Sequence, residues 1–320
     1  MRARRLASAL TALLLSCATS DNASVIAELE QHASANRDDE LERRIRAPHP
    51  YHAERGATRA VLAMSSAKVP VVEGAINGVS MPLLLDTGTT HVVISGAGAR
   101  DCELYLPPGR TVSLITPGYE ARFRLGAPRS ITLGGTVLSG GVAVVGEKES
   151  GLARRLGLRA ASHATIGAAV LSNFVMVLDF GTREVILEPH GGEPFAGVLW
   201  TEVVVNDKRC LMLVDTGANG IFLEPTFARS LGLIDEREVE RHMQKAETAG
   251  AARFTPVQVK RVTIGGHTFE QVRAHVVNVV DNEGSLETLP RGGLLGIAGL
   301  GPHRWKIDYA KKQLVLEEAR

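Results

Sequence analysis

The tripeptide Asp-Thr-Gly occurs twice, and the two copies constrain everything else this chain can be. The first, Asp86-Thr87-Gly88, closes the apolar run Leu83-Leu84-Leu85. The second, Asp215-Thr216-Gly217, closes Leu211-Met212-Leu213-Val214. Each run reads as a buried strand, and each glycine lets the backbone turn sharply behind the acid. A single copy is a strand-end turn with a solvated aspartate as readily as a functional loop. Two copies on strands of the same character point to paired chemistry. Carboxylates brought face to face cannot both ionise near neutral pH, so they share a proton and can serve as acid and base.

The two acids lie 129 residues apart, and that offset recurs along the chain. Glu73-Gly74-Ala75-Ile76-Asn77-Gly78 lies over Glu202-Val203-Val204-Val205-Asn206-Asp207. Ile166-Gly167-Ala168 lies over Leu295-Gly296-Ile297, and Val177-Leu178-Asp179-Phe180 over Lys306-Ile307-Asp308-Tyr309. Arg122-Phe123 and Leu133-Gly134-Gly135 match Arg253-Phe254 and Ile264-Gly265-Gly266 at an offset two residues longer. The chain is therefore a duplication, and its period is far too long for a solenoid, so each copy is a lobe. Short apolar runs alternate with turn signals such as Asn77-Gly78, Pro107-Pro108-Gly109 and Pro117-Gly118. That pattern predicts an all-β fold with few short helices. The expected helices are Leu152 to Leu158, Ala168 to Leu171, and Glu224 to Leu231, the last without a counterpart in the first copy. His190-Gly191-Gly192-Glu193-Pro194 is the expected boundary between the copies.

The arrangement resembles the pepsin/retropepsin-like aspartic peptidases, in a bacterial single-chain form with two retropepsin-like lobes. The likeness rests on the paired loops and on a hydrophobic-hydrophobic-Gly segment after each, Thr165-Ile166-Gly167 and Leu294-Leu295-Gly296, and it covers residues 68–318. It implies two β-barrel lobes related by pseudo-two-fold symmetry, the first over 61–190 and the second over 191–320. It implies an aspartic endopeptidase in which Asp86 and Asp215 are the catalytic pair and activate a water between them. Thr87, Gly88 and Thr89, with Thr216, Gly217 and Ala218, would form the supporting loops, each Thr of the tripeptide bonding across to the other loop. The flap would lie at Gly118 and Tyr119, with Gly250 at the corresponding place in the second lobe; Tyr119 either covers the substrate or is a surface tyrosine. A hydroxyl after the tripeptide can stabilise the charged form of its aspartate, so Thr89, set against Ala218, would make Asp86 the ionised partner. One chain supplies both acids, so a monomer acting on a polypeptide is expected. The rival is an inactive peptide-binding envelope lipoprotein on the same fold; intact Asp86 and Asp215 argue against it.

Other chemistries leave no comparable trace. The ten histidines form no HExxH pair, and neither G-x-S-x-G nor a strand-to-helix G-x-G-x-x-G is present, so no metal and no cofactor is expected. A formal charge of +1 gives no reason to expect nucleic acid.

The N-terminus reads as targeting. Arg2, Arg4 and Arg5 precede the apolar stretch Leu6 to Leu15, which matches a secretory signal and is too short to span a membrane. Leu14-Leu15-Ser16-Cys17 resembles the lipobox of bacterial lipoproteins. By that resemblance 1–17 is a signal peptide, Cys17 is lipidated, and the protein is a periplasmic or outer-membrane lipoprotein held to the membrane by its anchor alone; an ordinary signal peptide is the alternative. The polar stretch 18–60 reads as a tether with one weak amphipathic helix at Val25, Ile26 and Leu29, the alternative being a helix packed on the first lobe. Cys102 and Cys210 are either a disulfide or two buried thiols.

Overall fold

A computed structural model describes residues 22–35, 38–46, 50–54, 57–65, 69–116, 119–146, 164–190, 197–243, 254–278 and 291–317. Two helices, α1 (Asn22–Ala35) and α2 (Asp39–Arg46), precede the strands. The first half then runs β1 (Tyr51–Ala53), β2 (Ala60–Ala63), β3 (Val71–Ile76), β4 (Val79–Leu85), β5 (Val92–Ile94), helix α3 (Gly96–Asp101), β6 (Thr111–Thr116), β7 (Tyr119–Gly126), β8 (Ile131–Leu133), β9 (Thr136–Gly140), β10 (Ala143–Gly146), β11 (Ala164–Ile166), β12 (Phe174–Asp179) and β13 (Glu184–Pro189). The second half repeats the plan with β14 (Trp200–Val205), β15 (Lys208–Val214), β16 (Asn219–Leu223), β17 (Thr255–Ile264), β18 (His267–Val276), β19 (Arg291–Ile297), β20 (Arg304–Asp308) and β21 (Gln313–Glu317).

The second lobe is a closed barrel in the order β14-β15-β19-β16-β18-β17. The first lobe keeps the same sequence of neighbours, β3-β4-β11-β5-β10-β7, inside a longer sheet that does not close. The reason lies in two interruptions. Where the second lobe has the unbroken ten-residue strands β17 and β18, the first has Pro128 between β7 and β8 and Gly140-Gly141 between β9 and β10. Pro cannot donate to a ladder, and both glycines take positive φ, +89° and +54°, which few other residues tolerate.

The N-terminal segment fills the gap so created, and this corrects the tether reading of 18–60. Strand β1 pairs with β9. Ile26 and Leu29 of α1 lie in the main core. Leu41 and Ile45 of α2 pack on Tyr105 and Ala127. Arg44 Nη1 donates to the carbonyls of Pro128 (3.1 Å) and Gly140 (2.9 Å), the two acceptors next to the breaks.

The halves are joined by a sheet in the order β2-β13-β12-β20-β21, to which both contribute, so the structural division does not fall cleanly between residues 190 and 191. In it Val177 lies opposite Lys306, its own counterpart in the repeat, which puts the pseudo-two-fold axis through that pair. The expected helix Ala168–Leu171 is present, and the turn Ala298–Leu300 answers it in the second half. The expectation that helix Pro225–Ser230 has no counterpart is overturned by α3 at the same offset. Its sequence GAGARD is a poor helix former, but Ser95 caps it by accepting the Gly98 N–H at 2.9 Å. What the second half adds is the helix Glu236–Met243. The expected helix at 152–158, the boundary glycines 191 and 192, and the signal segment with Cys17 fall outside the described residues.

Candidate active site

Alternation along β4 sends Leu83 and Leu85 into the main core and Leu84 to the opposite face, toward the other lobe. Asp86, two residues beyond Leu84, emerges at that inter-lobe side. The β15 strand does the same with Leu213 and Asp215. Behind each loop runs the hydrophobic-hydrophobic-Gly segment. The Asp86 N–H donates to Ile166 O at 2.9 Å and the Asp215 N–H to Leu295 O at 3.0 Å. A Cβ on Gly167 would overlap the carbonyl oxygens of Thr89 and His91, and one on Gly296 those of Ala218 and Gly220. These are close backbone crossings that only glycine permits.

The two loops grip one another through their threonines. Thr87 Oγ1 donates to Val214 O (2.7 Å) and accepts the Thr216 N–H (3.1 Å). Thr216 Oγ1 donates to Leu85 O (2.6 Å) and accepts the Thr87 N–H (3.1 Å). All four bonds are buried and cross between the lobes, so the spacing of the aspartates is set by backbone rather than by flexible side chains.

Asp86 and Asp215 have no exposed surface. Asp86 Oδ1 accepts the Gly88 N–H at 2.9 Å, and Asp215 Oδ1 accepts the Ala218 N–H at 3.0 Å. The Asp215 carboxyl lies directly over the first loop: a Cβ on Gly88 would come within 2.6 Å of its Cγ. Each Oδ2 is buried and, among the described residues, meets no hydrogen-bond partner; the two carboxyls are close enough to shift one another's titration. Two buried carboxyls so placed cannot both ionise near neutral pH.

Burial, then the charge of Asp215, holds Asp86 well above the usual carboxylate range. Burial pushes Asp215 up only to about 6, because the Asp86 carboxyl and the N–H groups of Gly217 and Ala218 stabilise its charge. Each carboxyl thus accepts backbone N–H groups, Asp86 those of Gly88 and Gly217 and Asp215 those of Gly217 and Ala218, that favour its ionised form. Thr89 Oγ1 accepts the His91 N–H at 3.3 Å.

Tyr119 opens β7 opposite Thr116, so a hairpin stands where the flap is expected; its turn at Gly118, and Gly250, fall outside the described residues. Cys102 and Cys210 are separate buried thiols, not a disulfide, and burial pushes each up to about 12. The sequence reading missed Tyr309, a fully buried phenol pushed up by burial and then by the charges of Asp86 and Asp215. The repeat offset was the available signal, since it sets Tyr309 over Phe180.

Each lobe is matched separately by a protease family. A model of gag-polyprotein aspartyl proteases matches residues 201–301, and an aspartyl protease model matches residues 72–160; each span contains one Asp-Thr-Gly. Each half of the chain is thus similar to aspartyl proteases. Among solved structures, a retropepsin-like aspartic protease from Rickettsia conorii is similar at 25% identity, over 30% of this chain and 64% of that one, with a TM-score of 0.20. No curated protein matches the chain. The two acids thus lie one in each separately matched segment.

Proposed function

We propose that the protein is an aspartic endopeptidase that hydrolyses polypeptides with Asp86 as acid and Asp215 as base, as a monomer. The observation that carries this reading is the buried pair of carboxyls, one from each lobe, facing each other under a fixed backbone grip. Ionised Asp215 takes a proton from a water as its oxygen attacks the scissile carbonyl carbon, while Asp86 gives its proton to the carbonyl oxygen. The resulting diol collapses as Asp215 passes its new proton to the leaving nitrogen and a diol hydroxyl returns one to Asp86. The C–N bond breaks, both acids regain their starting states, and no covalent enzyme intermediate forms. An inactive peptide-binding role would leave the shared proton without a purpose.

Turnover needs the singly protonated pair, and its acid limb belongs to the pair rather than to either residue. Asp215 is held up to about 6, so kcat/KM should fall as pH drops below about 6, well above the range of ordinary carboxylates. A pH–rate profile on an internally quenched peptide checks this; full activity at about pH 4 would contradict it.

We also propose that Cys17 carries a lipid anchor and places the enzyme in the periplasm or at the outer membrane. The support is the basic, apolar and Ser16-Cys17 pattern alone. Cys17→Ser should move the protein from the membrane fraction to the soluble one; an unchanged membrane fraction would overturn the anchor.

A further inference from the structure

We propose that His91 is a specificity-determining residue: its imidazole Nε2 donates to a substrate side chain that carries a hydrogen-bond acceptor, a carboxylate or carboxamide, on the first-lobe side of the scissile bond only. The inference rests on the peptidase reading above and names the class of peptide that the same site selects.

The sheet register puts His91 beside the acids. Leu84 of β4 lies opposite Thr165 of β11, and Thr165 lies opposite Val93 of β5. Residues opposite one another in a ladder share a face. Val93 is therefore on the face of Leu84, the inter-lobe side on which Asp86 emerges. His91 comes two residues before Val93, and alternation returns it to that face. It also stands level with the acid. The Asp86 N–H donates to Ile166 O, and a Cβ on the next residue, Gly167, would lie 2.3 Å from His91 O. Asp86, Gly167 and His91 thus form a row across the three strands. Two strand spacings are about 10 Å, roughly the span of three residues of extended peptide. His91 meets a side chain near the scissile bond rather than the bond itself.

The loop fixes the ring. The His91 N–H donates to Thr89 Oγ1 at 3.3 Å, and the carbonyls of Thr89 and Thr90 accept the N–H groups of Ala168 (2.8 Å) and Ala169 (3.0 Å). Thr90 Oγ1 lies 2.8 Å from His91 Nδ1. A hydroxyl donating there puts the single N–H of the neutral ring on Nε2. Burial lowers the His91 pKa, which favours that neutral ring. The residue is still only partly buried, and among the described residues Nε2 meets no hydrogen-bond partner. An apolar side chain laid against this N–H would strip its water and leave it unpaired, whereas an acceptor replaces the lost bond.

The second lobe has no equivalent. Gly220 occupies the place of His91, opposite Gly296. Its φ of +124° is one that side chains rarely adopt. Among the described residues nothing beyond its chain neighbours lies within 4 Å of where a Cβ would stand. The cleft therefore offers a fixed donor on one side of the acids and open space on the other, so a pseudo-symmetric site reads a peptide in one direction.

The test compares wild type, His91→Ala and His91→Gln by cleavage of a randomised peptide library, read by mass spectrometry. The wild type should favour Asp, Glu, Asn or Gln at one position on one side of the cut, with no matching preference on the other. His91→Ala should lower kcat/KM for a peptide with Gln at that position by about tenfold, through KM, and leave the Met analogue within about twofold. His91→Gln restores an N–H and should recover most of the loss; Thr90→Val frees the ring and should fall between. An acceptor preference that His91→Ala leaves intact, or cleavage by wild type with no such preference, overturns the proposal and leaves the peptidase reading standing. The contact is also read without turnover, by sequencing the library peptides retained on Asp215→Asn and on Asp215→Asn/His91→Ala. If wild type cleaves nothing, enrichment of acceptor side chains that His91→Ala abolishes refutes the peptidase reading and upholds this one; retained pools of equal composition overturn both.

Discussion

Asp86→Asn and Asp215→Asn are each expected to cut peptide cleavage by roughly 10²–10⁴-fold or more, the range for removing a general acid or base, while making the protein more stable at neutral pH. The second half of that statement follows from the raised pKa values. Both acids bind protons more tightly folded than unfolded. Their contribution to stability is therefore fully present below the unfolded value of about 3.9 and is lost as pH climbs through the folded values. For Asp215 that window runs up to about 6; for Asp86 it extends higher. An Asn at either site does not titrate, and it relieves one buried like-charge contact. Each variant should gain on the wild type above about pH 4, by an amount on the order of 2 kcal/mol at neutral pH, and the gain should vanish in acid. Urea unfolding of the three proteins across pH measures it. A variant uniformly less stable than wild type at every pH would mean that the carboxyls are held by contacts other than those described.

Thr87→Val and Thr216→Val should have the largest cost to the fold. Val matches the shape of Thr but removes the hydroxyl. Thr87→Val leaves the Val214 carbonyl and the Thr216 N–H without their partner, and Thr216→Val leaves the Leu85 carbonyl and the Thr87 N–H. A buried polar group left unpaired costs about 1–3 kcal/mol, so each substitution should cost roughly 2–6 kcal/mol, a large share of a typical stability of about 5–15 kcal/mol. The four bonds form one closed unit, so the double variant should lose less than the sum of the singles. Denaturant titration of the full cycle checks this, and strict additivity would show that the two threonines act independently.

The repeat made the site legible before any coordinates. Two acids at one offset, each with its glycine segment in phase, fix which strands must meet, because burial of Leu83 and Leu85 leaves the acids only the inter-lobe face. The backbone N–H groups of Gly88, Gly217 and Ala218 that stabilise charge at the pair were not legible, because a sequence displays side chains only. The first-lobe helix α3 was hidden for a related reason: Gly96, Ala97 and Gly98 carry almost no helical preference, and the Ser95 cap and the surrounding core supply it. The packing of α1 on the first lobe was legible only as the alternative reading, and α2 was hidden because it is mostly charged. Its fixing contacts, from Arg44 to Pro128 and Gly140 and from Glu42 to Arg110, join residues far apart in the chain whose pairing no local period announces. The neighbours of Cys102 and Cys210 are likewise set by tertiary structure, which is why disulfide and thiol remained equal readings until the fold placed each in its own lobe.

The central claim, that one proton shared between Asp86 and Asp215 drives hydrolysis of internal peptide bonds, is tested most directly by mass spectrometry. The full chain is incubated with a diverse peptide library in ¹⁸O-water across pH. The account predicts cuts at internal bonds above about pH 6, with label in the new carboxylate and none of these products from Asp86→Asn or Asp215→Asn. A folded preparation that cuts no internal bond at any pH, or cleavage that survives either substitution, would contradict it.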